Sequence, residues 1–367
     1  MPTLSYSIVD SAAALETACD DLAKQPLLCT DTEFMRVRTY TPQLALLQFA
    51  GTNTVWCIDP VADIDLEPMW NLLFDATRQK VMHSGKQDYE AFFFARGDLP
   101  HKLFDTQVAA ALSGHQPQIG YAGIVEDRFG VSISKSQTRS NWLQRPLTEA
   151  QLNYAAEDVE YLARLYEQLY EELEQSGRLA WALEDSEALT EITLYKPDPA
   201  TAWQRIKSIR FLPPAEQARA KELAAWREER AVKLDKPRSW ILSDGALREI
   251  AANNPQTTNQ LSGVEDLPPA TLRKQGEKLL SIVKHANEAF SRGEIEAVQD
   301  DRPDQAHKAL LKELGAIVKR HADELSLPAE VLGSKRELNA IITGDQGQRP
   351  LNGWRGEILG SELLAAL

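Results

Sequence analysis

The sequence predicts an α/β domain followed by two small all-α domains. Up to about residue 130, short apolar runs alternate with longer segments of helical periodicity, which is the pattern of an α/β domain. Beyond residue 200 the periodicity is helical throughout, and one segment of it recurs at a fixed offset. The charge distribution also divides the chain into three parts. These observations together predict three modules.

The strands of the first module are predicted from three neighbouring apolar runs. They lie at residues 27–34, 44–49 and 55–58 and are separated by turn signals, so we expect antiparallel neighbours. A helix at 67–74 and a strand at 80–83 follow. Further helices are predicted at 87–95, 106–112 and 121–129, with glycines between them.

One long helix is predicted from Thr148 to Gly177. Thr148 and Gln151 have the spacing of a capping box, and Gly177 is a natural C-terminal stop. A helical pattern continues over residues 180–192 until Lys196-Pro197-Asp198-Pro199, where two prolines forbid helix continuation. We place the end of the first domain at this break, which gives it residues 1–196.

The rest of the chain contains an internal repeat at a constant offset of 91 residues, with seven identities in about 26 positions. The matching residues include Leu234, Pro237 and Ser243 in the first copy and Leu325, Pro328 and Ser334 in the second. In each copy the pattern predicts a helix that ends before a proline, followed by a serine that caps a second helix. Two copies of one helical domain are predicted, at residues 197–293 and 294–367, with a polar linker near 293–303.

The composition excludes several classes of protein. The 367 residues are 43% hydrophobic and 26% charged, which rules out collagen-like, low-complexity and wholly disordered chains. The first residues lack the pattern of a signal peptide and no long apolar run follows, so we expect a cytoplasmic protein without a membrane segment. Three cysteines without CxxC spacing encode neither a disulfide framework nor a thiolate zinc site.

The net charge of −14 would argue against a nucleic-acid partner if it were evenly spread. Residues 1–200 contain 15 Lys and Arg against 30 Asp and Glu, whereas residues 201–290 contain 15 against 11. Residues 291–367 return to 10 against 13. The middle of the chain is therefore basic, and a nucleic-acid partner stays possible.

Carboxylates in apolar surroundings indicate a metal site. Asp31 and Glu33 end an apolar run and point the same way from a strand, so their charges repel unless a cation is present. Asp158 falls in the apolar stripe of the long helix, and Tyr154 lies one turn earlier on the same face. Structural explanations remain open at this point, because a strand end can carry solvated acids and an acid can sit at the edge of a stripe.

A third segment, His83-Ser84-Gly85-Lys86-Gln87-Asp88, joins a strand to a helix and places Asp88 in a first helical turn. An acid in that position is usually a capping residue. Together with the other acids, however, the segment resembles the ribonuclease D family of the DEDD superfamily of 3'-5' exonucleases. The resembling motifs are Asp31-Thr32-Glu33-Phe34, the segment HSGKQDYEAF that contains Asp88, Tyr154-x3-Asp158 of the tyrosine subclass, and the segments 104–107 and 140–147.

The repeated module resembles the HRDC domain, an accessory nucleic-acid-binding element. Residues 225–228 and 241–244 carry the resemblance in the first copy, and 334–339 and 351–357 carry it in the more divergent second copy. An exonuclease domain followed by two such modules is the layout of the bacterial family. Asn141 departs from the aspartate common in the family, which puts one supporting contact in doubt but none of the four acids.

The resemblance implies a ribonuclease H-like mixed-sheet exonuclease domain followed by two small all-α HRDC helical domains. It also implies that Asp31, Glu33, Asp88 and Asp158 hold two divalent cations, Mg²⁺ or Mn²⁺. Carboxylates without a Cys or His cluster suit such hard cations. We assign Tyr154, a poor base because of its pKa, to positioning the attacking water.

The resemblance further implies RNA as substrate, with tRNA precursors favoured, and nucleoside 5'-monophosphates as products of a monomeric enzyme. Candidate RNA-binding residues are Phe34, Lys135, Arg139, Arg145, Lys207, Arg210, Lys233, Lys236 and Arg238. Trp226 and Trp354 are expected in the core instead. The alternatives are a single-stranded DNA 3'-5' exonuclease and a non-catalytic RNA-binding adaptor, and the retention of all four acids and the tyrosine argues against the adaptor.

Overall fold

The computed structural model describes residues 5–134, 136–297 and 304–367. The RNA-binding candidate Lys135 and most of the expected linker at 293–303 lie outside these residues. Within the described residues, no helix combines the length and the apolar character needed to cross a bilayer.

Six β-strands form one mixed sheet in the described part of the chain, which confirms the predicted fold class. They are β1 (Ser5–Val9), β2 (Leu27–Met35), β3 (Gln43–Ala50), β4 (Thr54–Ile58), β5 (Gln79–Met82) and β6 (Leu103–Asp105). The order across the sheet is β1-β4-β3-β2-β5-β6. Strand β3 pairs antiparallel with β2 and with β4, as predicted, and the remaining pairs are parallel.

The first eight helices alternate with the strands and then continue to residue 187. They are α1 (Ala12–Leu22), α2 (Glu67–Phe74), α3 (Lys86–Arg96), α4 (Thr106–Leu112), α5 (Tyr121–Phe129), α6 (Glu149–Glu160), α7 (Leu162–Gln175) and α8 (Leu179–Glu187). Successive residues of β2 serve opposite faces of the sheet, since Leu28 joins the cluster with Phe92 of α3 and Cys29 the cluster with Val159 of α6.

The prediction of one long helix from Thr148 to Gly177 is wrong. The capping box of Thr148 and Gln151 is present at the start of α6. At Tyr161, however, the backbone N–H donates to the hydroxyl oxygen of Tyr121 at 3.0 Å, and a second helix, α7, begins at the next residue. The helical pattern expected over 180–192 also ends early, at Glu187, where short 3₁₀ turns follow.

Ten further helices follow among the residues that the structure describes, and they carry the repeat. They are α9 (Pro214–Leu234), α10 (Arg238–Ile241), α11 (Asp244–Asn253), α12 (Thr258–Leu261), α13 (Pro269–Ser291), α14 (Gln305–Leu325), α15 (Ala329–Leu332), α16 (Lys335–Ile342), α17 (Gly353–Arg355) and α18 (Ser361–Ala365). Helices α9 and α14 both have 21 residues and begin 91 positions apart. Ser243 and Ser334 accept the predicted capping bonds.

The described chain divides into two compact units. The first contains residues 5–35, 43–195 and 304–367, so the sheet, α1–α8 and α14–α18 belong together. The second contains residues 36–42 and 196–297 with α9–α13. The division into three domains at residues 196 and 293 remains a prediction.

Within the first unit, α17 is fixed to α8. The Trp354 indole stacks on that of Trp181, with ring centroids 4.4 Å apart and planes 5° from parallel. Arg355 is 3% exposed and donates to both carboxylate oxygens of Asp185, at 2.6 and 2.7 Å, and to the carbonyl of Val331 at 2.6 Å. The last helices therefore cover α8 with stacked rings and a buried ion pair.

Candidate active site

Strand β2 lies in the middle of the sheet and carries the first two acids. Asp31 pairs with Gln48 and Glu33 with Leu46 of β3, so both side chains leave β2 on one face. The register shifts between Glu33 and Phe34, which is a β-bulge at the end of the strand. Strand β5 pairs with β2 only over Leu27–Cys29, so at Asp31 and Glu33 the ladder partner of β2 is β3.

Helix α6 packs on the same face and brings Asp158 to these acids. Asp31, Glu33 and Asp158 each offer a carboxylate oxygen, and the three oxygens lie within 4.8 Å of one another. All three side chains are half-buried. Asp158 therefore lies beside Asp31 and Glu33, although at least 125 positions of the chain separate it from either of them. That these acids hold a metal ion remains a prediction.

Asp88 does not lie in the group formed by Asp31, Glu33 and Asp158. It is buried at the start of α3, outside the group of three, and its carboxylate accepts a hydrogen bond from the Thr32 hydroxyl. Thr32 lies between Asp31 and Glu33, so its side chain leaves the opposite face of β2. Asp88 is nevertheless close enough to raise the pKa of Glu33 and of Asp31 by Coulombic repulsion.

Asp105 fixes the loop before α3, a role for which no sequence pattern provides a signal. Its buried carboxylate accepts the backbone N–H groups of Ser84 at 3.0 Å, Gly85 at 2.8 Å and Gln107 at 2.8 Å. These bonds tie the turn that leads into α3, and hence into Asp88, to the start of α4. The segment 104–107 was noted only for its resemblance to the family.

Without a nearby cation, simultaneous ionisation of all four carboxyl groups is unfavourable. Burial first, and then the neighbouring acids, raise the pKa of Asp31 well above its usual range and the pKa of Glu33 to about 9. Burial raises the pKa of Asp88 and of Asp158 to about 7, although hydrogen bonds to their carboxylates act in the opposite direction. A nearby positive charge would reverse these shifts.

This donor set fits a divalent cation. The converging atoms are all carboxylate oxygens, which Mg²⁺ and Mn²⁺ prefer, and the group contains no Cys or His. Asp31, Glu33 and Asp158 would hold such cations, with Asp88 as the adjacent fourth acid. The mutual repulsion of these buried carboxylates is what a bound cation would remove.

Tyr154 lies beside the cluster. Its hydroxyl donates to Asp158, which is one turn further along α6, and accepts a hydrogen bond from Thr138. Burial and the charge of Asp158 raise the pKa of Tyr154 above its ordinary value, so the phenol is protonated at neutral pH. Such a phenol donates a hydrogen bond and does not act as a base.

The candidate RNA-binding residues that the structure describes fall into two groups, those with contacts inside the protein and those exposed to solvent. The Arg145 guanidinium donates to both oxygens of Asp59 at 2.5 Å and to the carbonyl of Ala45, the residue skipped at the β-bulge, at 2.7 Å. Arg238 is paired with Glu228. Both arginines thus make ion pairs within the protein, and Phe34 is half-buried. Their contacts with RNA remain predictions. The exposed candidates are Arg139, Lys207, Arg210, Lys233 and Lys236.

Comparison with protein families gives three matches along the chain. Residues 6–174 match a 3'-5' exonuclease model. Residues 216–283 match the HRDC domain, and residues 306–363 match the C-terminal HRDC domain of ribonuclease D.

Individual proteins match over nearly the full length. Ribonuclease D of Pseudomonas paraeruginosa is 37% identical over 361 residues, which cover 97% of this chain and 96% of that protein. Ribonuclease D of a Shewanella species is 36% identical over 364 residues, which cover 98% and 93%. The crystal structure of Escherichia coli RNase D, an exoribonuclease involved in structured RNA processing, has a TM-score of 0.91 at 30% identity and covers 99% of both chains.

Proposed function

The chain belongs to the ribonuclease D family of 3'-5' exoribonucleases, and from this premise we propose that it is a metal-dependent enzyme that trims the 3' ends of structured RNA. The observation that carries the proposal is the convergence of Asp31, Glu33 and Asp158 beside Tyr154. We further propose that Asp88 completes the set of metal-holding acids.

In this mechanism the residues of the chain bind the cations and orient the attacking water and the phosphate. Asp31 and Glu33 on β2 and Asp158 on α6 present their oxygens to one point from two rigid elements. Bound divalent cations would supply an activated water and neutralise charge on the scissile phosphodiester. The protonated Tyr154 hydroxyl, held by Asp158, is placed to orient the attacking water or the phosphate. Attack of the water on the phosphorus of the last phosphodiester would break its bond to the 3' oxygen of the preceding nucleotide. This would release a nucleoside 5'-monophosphate and leave a 3' hydroxyl on the shortened RNA.

The substrate assignment rests on the relatives. The Escherichia coli enzyme is described as acting in structured RNA processing, and we extend this to the present chain. Precursor tRNA as the favoured RNA rests on the family resemblance alone. That the enzyme acts as a monomer in the cytoplasm stays a prediction from the sequence.

The experiment that tests this function uses purified protein, a 3'-tailed tRNA and a single-stranded DNA of matched length. We expect stepwise shortening of the RNA from its 3' end with Mg²⁺ or Mn²⁺, and release of nucleoside 5'-monophosphates. EDTA should stop the reaction, because the acids alone repel a phosphate backbone. Degradation that continues in EDTA would refute metal dependence, and equal use of DNA would favour the single-stranded DNA exonuclease instead.

Replacement of Tyr154 by phenylalanine tests the positioning role. We expect Tyr154→Phe to lower kcat by about 10- to 100-fold with little change in KM, because the ring remains but the orienting hydroxyl is lost. Single-turnover kinetics on tailed RNA would measure this. Tyr170→Phe, at a half-buried tyrosine of α7, is the matched control and should retain full activity. A Tyr154→Phe enzyme with unchanged kcat would remove the hydroxyl from the mechanism.

A further inference from the structure

The second unit carries an exposed tryptophan beside an exposed arginine. All eight tryptophans of the chain lie in the described residues, and only Trp240 is exposed, with 54% of its surface accessible. The Arg38 guanidinium carbon lies 5.9 Å from the centroid of the Trp240 ring, within range of a cation–π contact. The neighbouring Val37 is also exposed. Trp240 and Arg38 are called the Trp240 platform below.

The platform is held in place by the anchoring of residues 36–42 to the second unit. The carboxylate of Asp235 accepts the backbone N–H groups of Tyr40 at 3.0 Å and Thr41 at 2.9 Å. The Tyr40 ring is buried, and its hydroxyl lies in a network with Glu228 and Arg238. The loop that presents Arg38 is therefore ordered by buried contacts, so little conformational entropy would be lost on binding a ligand.

The surroundings of the platform are basic. The segments 36–42 and 232–242 contain five Lys and Arg residues and one acid, Asp235. That acid and the nearby Glu228 are both engaged in hydrogen bonds within the unit. Among the described residues, the Arg38 guanidinium makes no ion pair or hydrogen bond, and its contact is with the Trp240 ring. A cation and an aromatic face are thus both presented to solvent.

The repeat supplies an internal comparison. At the offset of 91 residues, Trp240 corresponds to Val331 and Arg238 to Ala329. Val331 is 6% exposed and its carbonyl accepts a bond from Arg355, so the second copy buries this position in the core of the first unit. The helical scaffold therefore does not require a tryptophan here. The first copy has an exposed aromatic residue where the second has a packed aliphatic one.

We propose that the Trp240 platform binds a single-stranded segment of the RNA substrate, with a base stacked on the indole and a phosphate against Arg38. An aromatic face flanked by cations is how proteins bind single-stranded nucleic acid without reading its sequence. The inference rests on the proposed function, because it takes RNA as the substrate. Arg38 follows Glu33 by only five residues, so the platform is joined to the acid-bearing strand β2 by a short stretch of chain.

The first test measures binding. The full-length chain with Asp31→Asn, which should not degrade RNA, is titrated with a 3'-tailed RNA and followed by fluorescence anisotropy. We expect Trp240→Ala and Trp240→Leu to weaken binding by about 5- to 100-fold, and Trp240→Phe to retain most of the affinity because it keeps a ring. Arg38→Ala should reduce the slope of log K against log salt by about 1.

The second test measures catalysis in the wild-type background. Trp240→Ala should raise KM for tailed RNA and leave kcat unchanged, since Trp240 is not one of the reacting groups in the mechanism. Val61→Ala, at an exposed aliphatic residue of the first unit, is the matched control and should change neither value. Thermal unfolding should be the same for all these proteins, because both side chains are exposed.

The outcomes separate this proposal from the function on which it rests. If the wild type fails to degrade RNA, the proposed function is wrong, whatever the binding experiment shows. If the wild type degrades RNA but Trp240→Ala binds and turns over RNA normally, the platform does not bind RNA and is better explained as a protein-docking surface. An equal loss in Val61→Ala would also overturn the proposal, because the effect would then not be specific to Trp240.

Discussion

Replacement of Asp31 by asparagine is expected to lower exonuclease activity by at least about 10³-fold, because cations in such a site contribute several kcal/mol to the transition state. Asn keeps the size of the side chain and removes one of the three converging carboxylates. The measurement is the rate of nucleotide release from a 3'-tailed tRNA at saturating Mg²⁺. Asp63→Asn, at an exposed acid of the same domain, is the matched control and should be fully active.

Thermal unfolding gives an independent reading of the same variant. Without divalent cations, Asp31→Asn should unfold at the same or a higher temperature than wild type, because the variant lacks a carboxyl group whose ionised form is disfavoured by burial and by the neighbouring acids. Mg²⁺ should raise the unfolding temperature of wild type more than that of the variant, since a ligand stabilises the state that binds it. An active Asp31→Asn enzyme, or an equal Mg²⁺ effect on both proteins, would contradict the assignment of Asp31.

The second large effect is expected on stability. Asp185→Ala leaves the guanidinium of Arg355 buried without its carboxylate partner, and removing one member of a buried ion pair costs about 3–5 kcal/mol. It also removes the acceptor of the Trp354 indole N–H. Urea-induced unfolding, followed by tryptophan fluorescence, would measure the loss in the free energy of unfolding.

Two further variants sharpen this prediction. Asp185→Leu combined with Arg355→Met removes both charges, so it should lose less stability than Asp185→Ala alone. Lys319→Ala breaks an exposed pair with Asp323 and should change the free energy of unfolding by less than about 1 kcal/mol. If Asp185→Ala is as stable as Lys319→Ala, the contact between α8 and α17 contributes little.

The sequence predicted the parts of the fold that depend on local pattern. The strands at residues 27–34, 44–49 and 55–58 were found because apolar runs and turn signals lie within a few residues of one another. The end of α6 was missed because the group that takes the Tyr161 N–H is the phenol of Tyr121, 40 residues earlier. The three-residue strand β6 is too short to show any periodicity.

In the candidate site too, residues with a local sequence signal could be predicted and residues without one could not. Asp31, Glu33 and Asp158 stand out because an acid conflicts with its apolar surroundings in the pattern of a strand or helix. Asp105 satisfies backbone groups of two separate segments, which no local pattern reveals. The internal partners of Arg145 have no signal in the sequence either, because no local pattern marks the β-bulge whose carbonyl it binds.

The sharing of one apolar core by α7 and α14 affects how the chain can fold during synthesis. Leu165 and Leu169 of α7 belong to the same cluster as Leu314 and Val318 of α14, so this layer is incomplete until the end of the chain has left the ribosome. Until then the nascent nuclease exposes apolar surface of the kind that chaperones bind. A product of premature termination would keep that surface exposed, which favours its removal by proteases over the accumulation of an unregulated nuclease fragment.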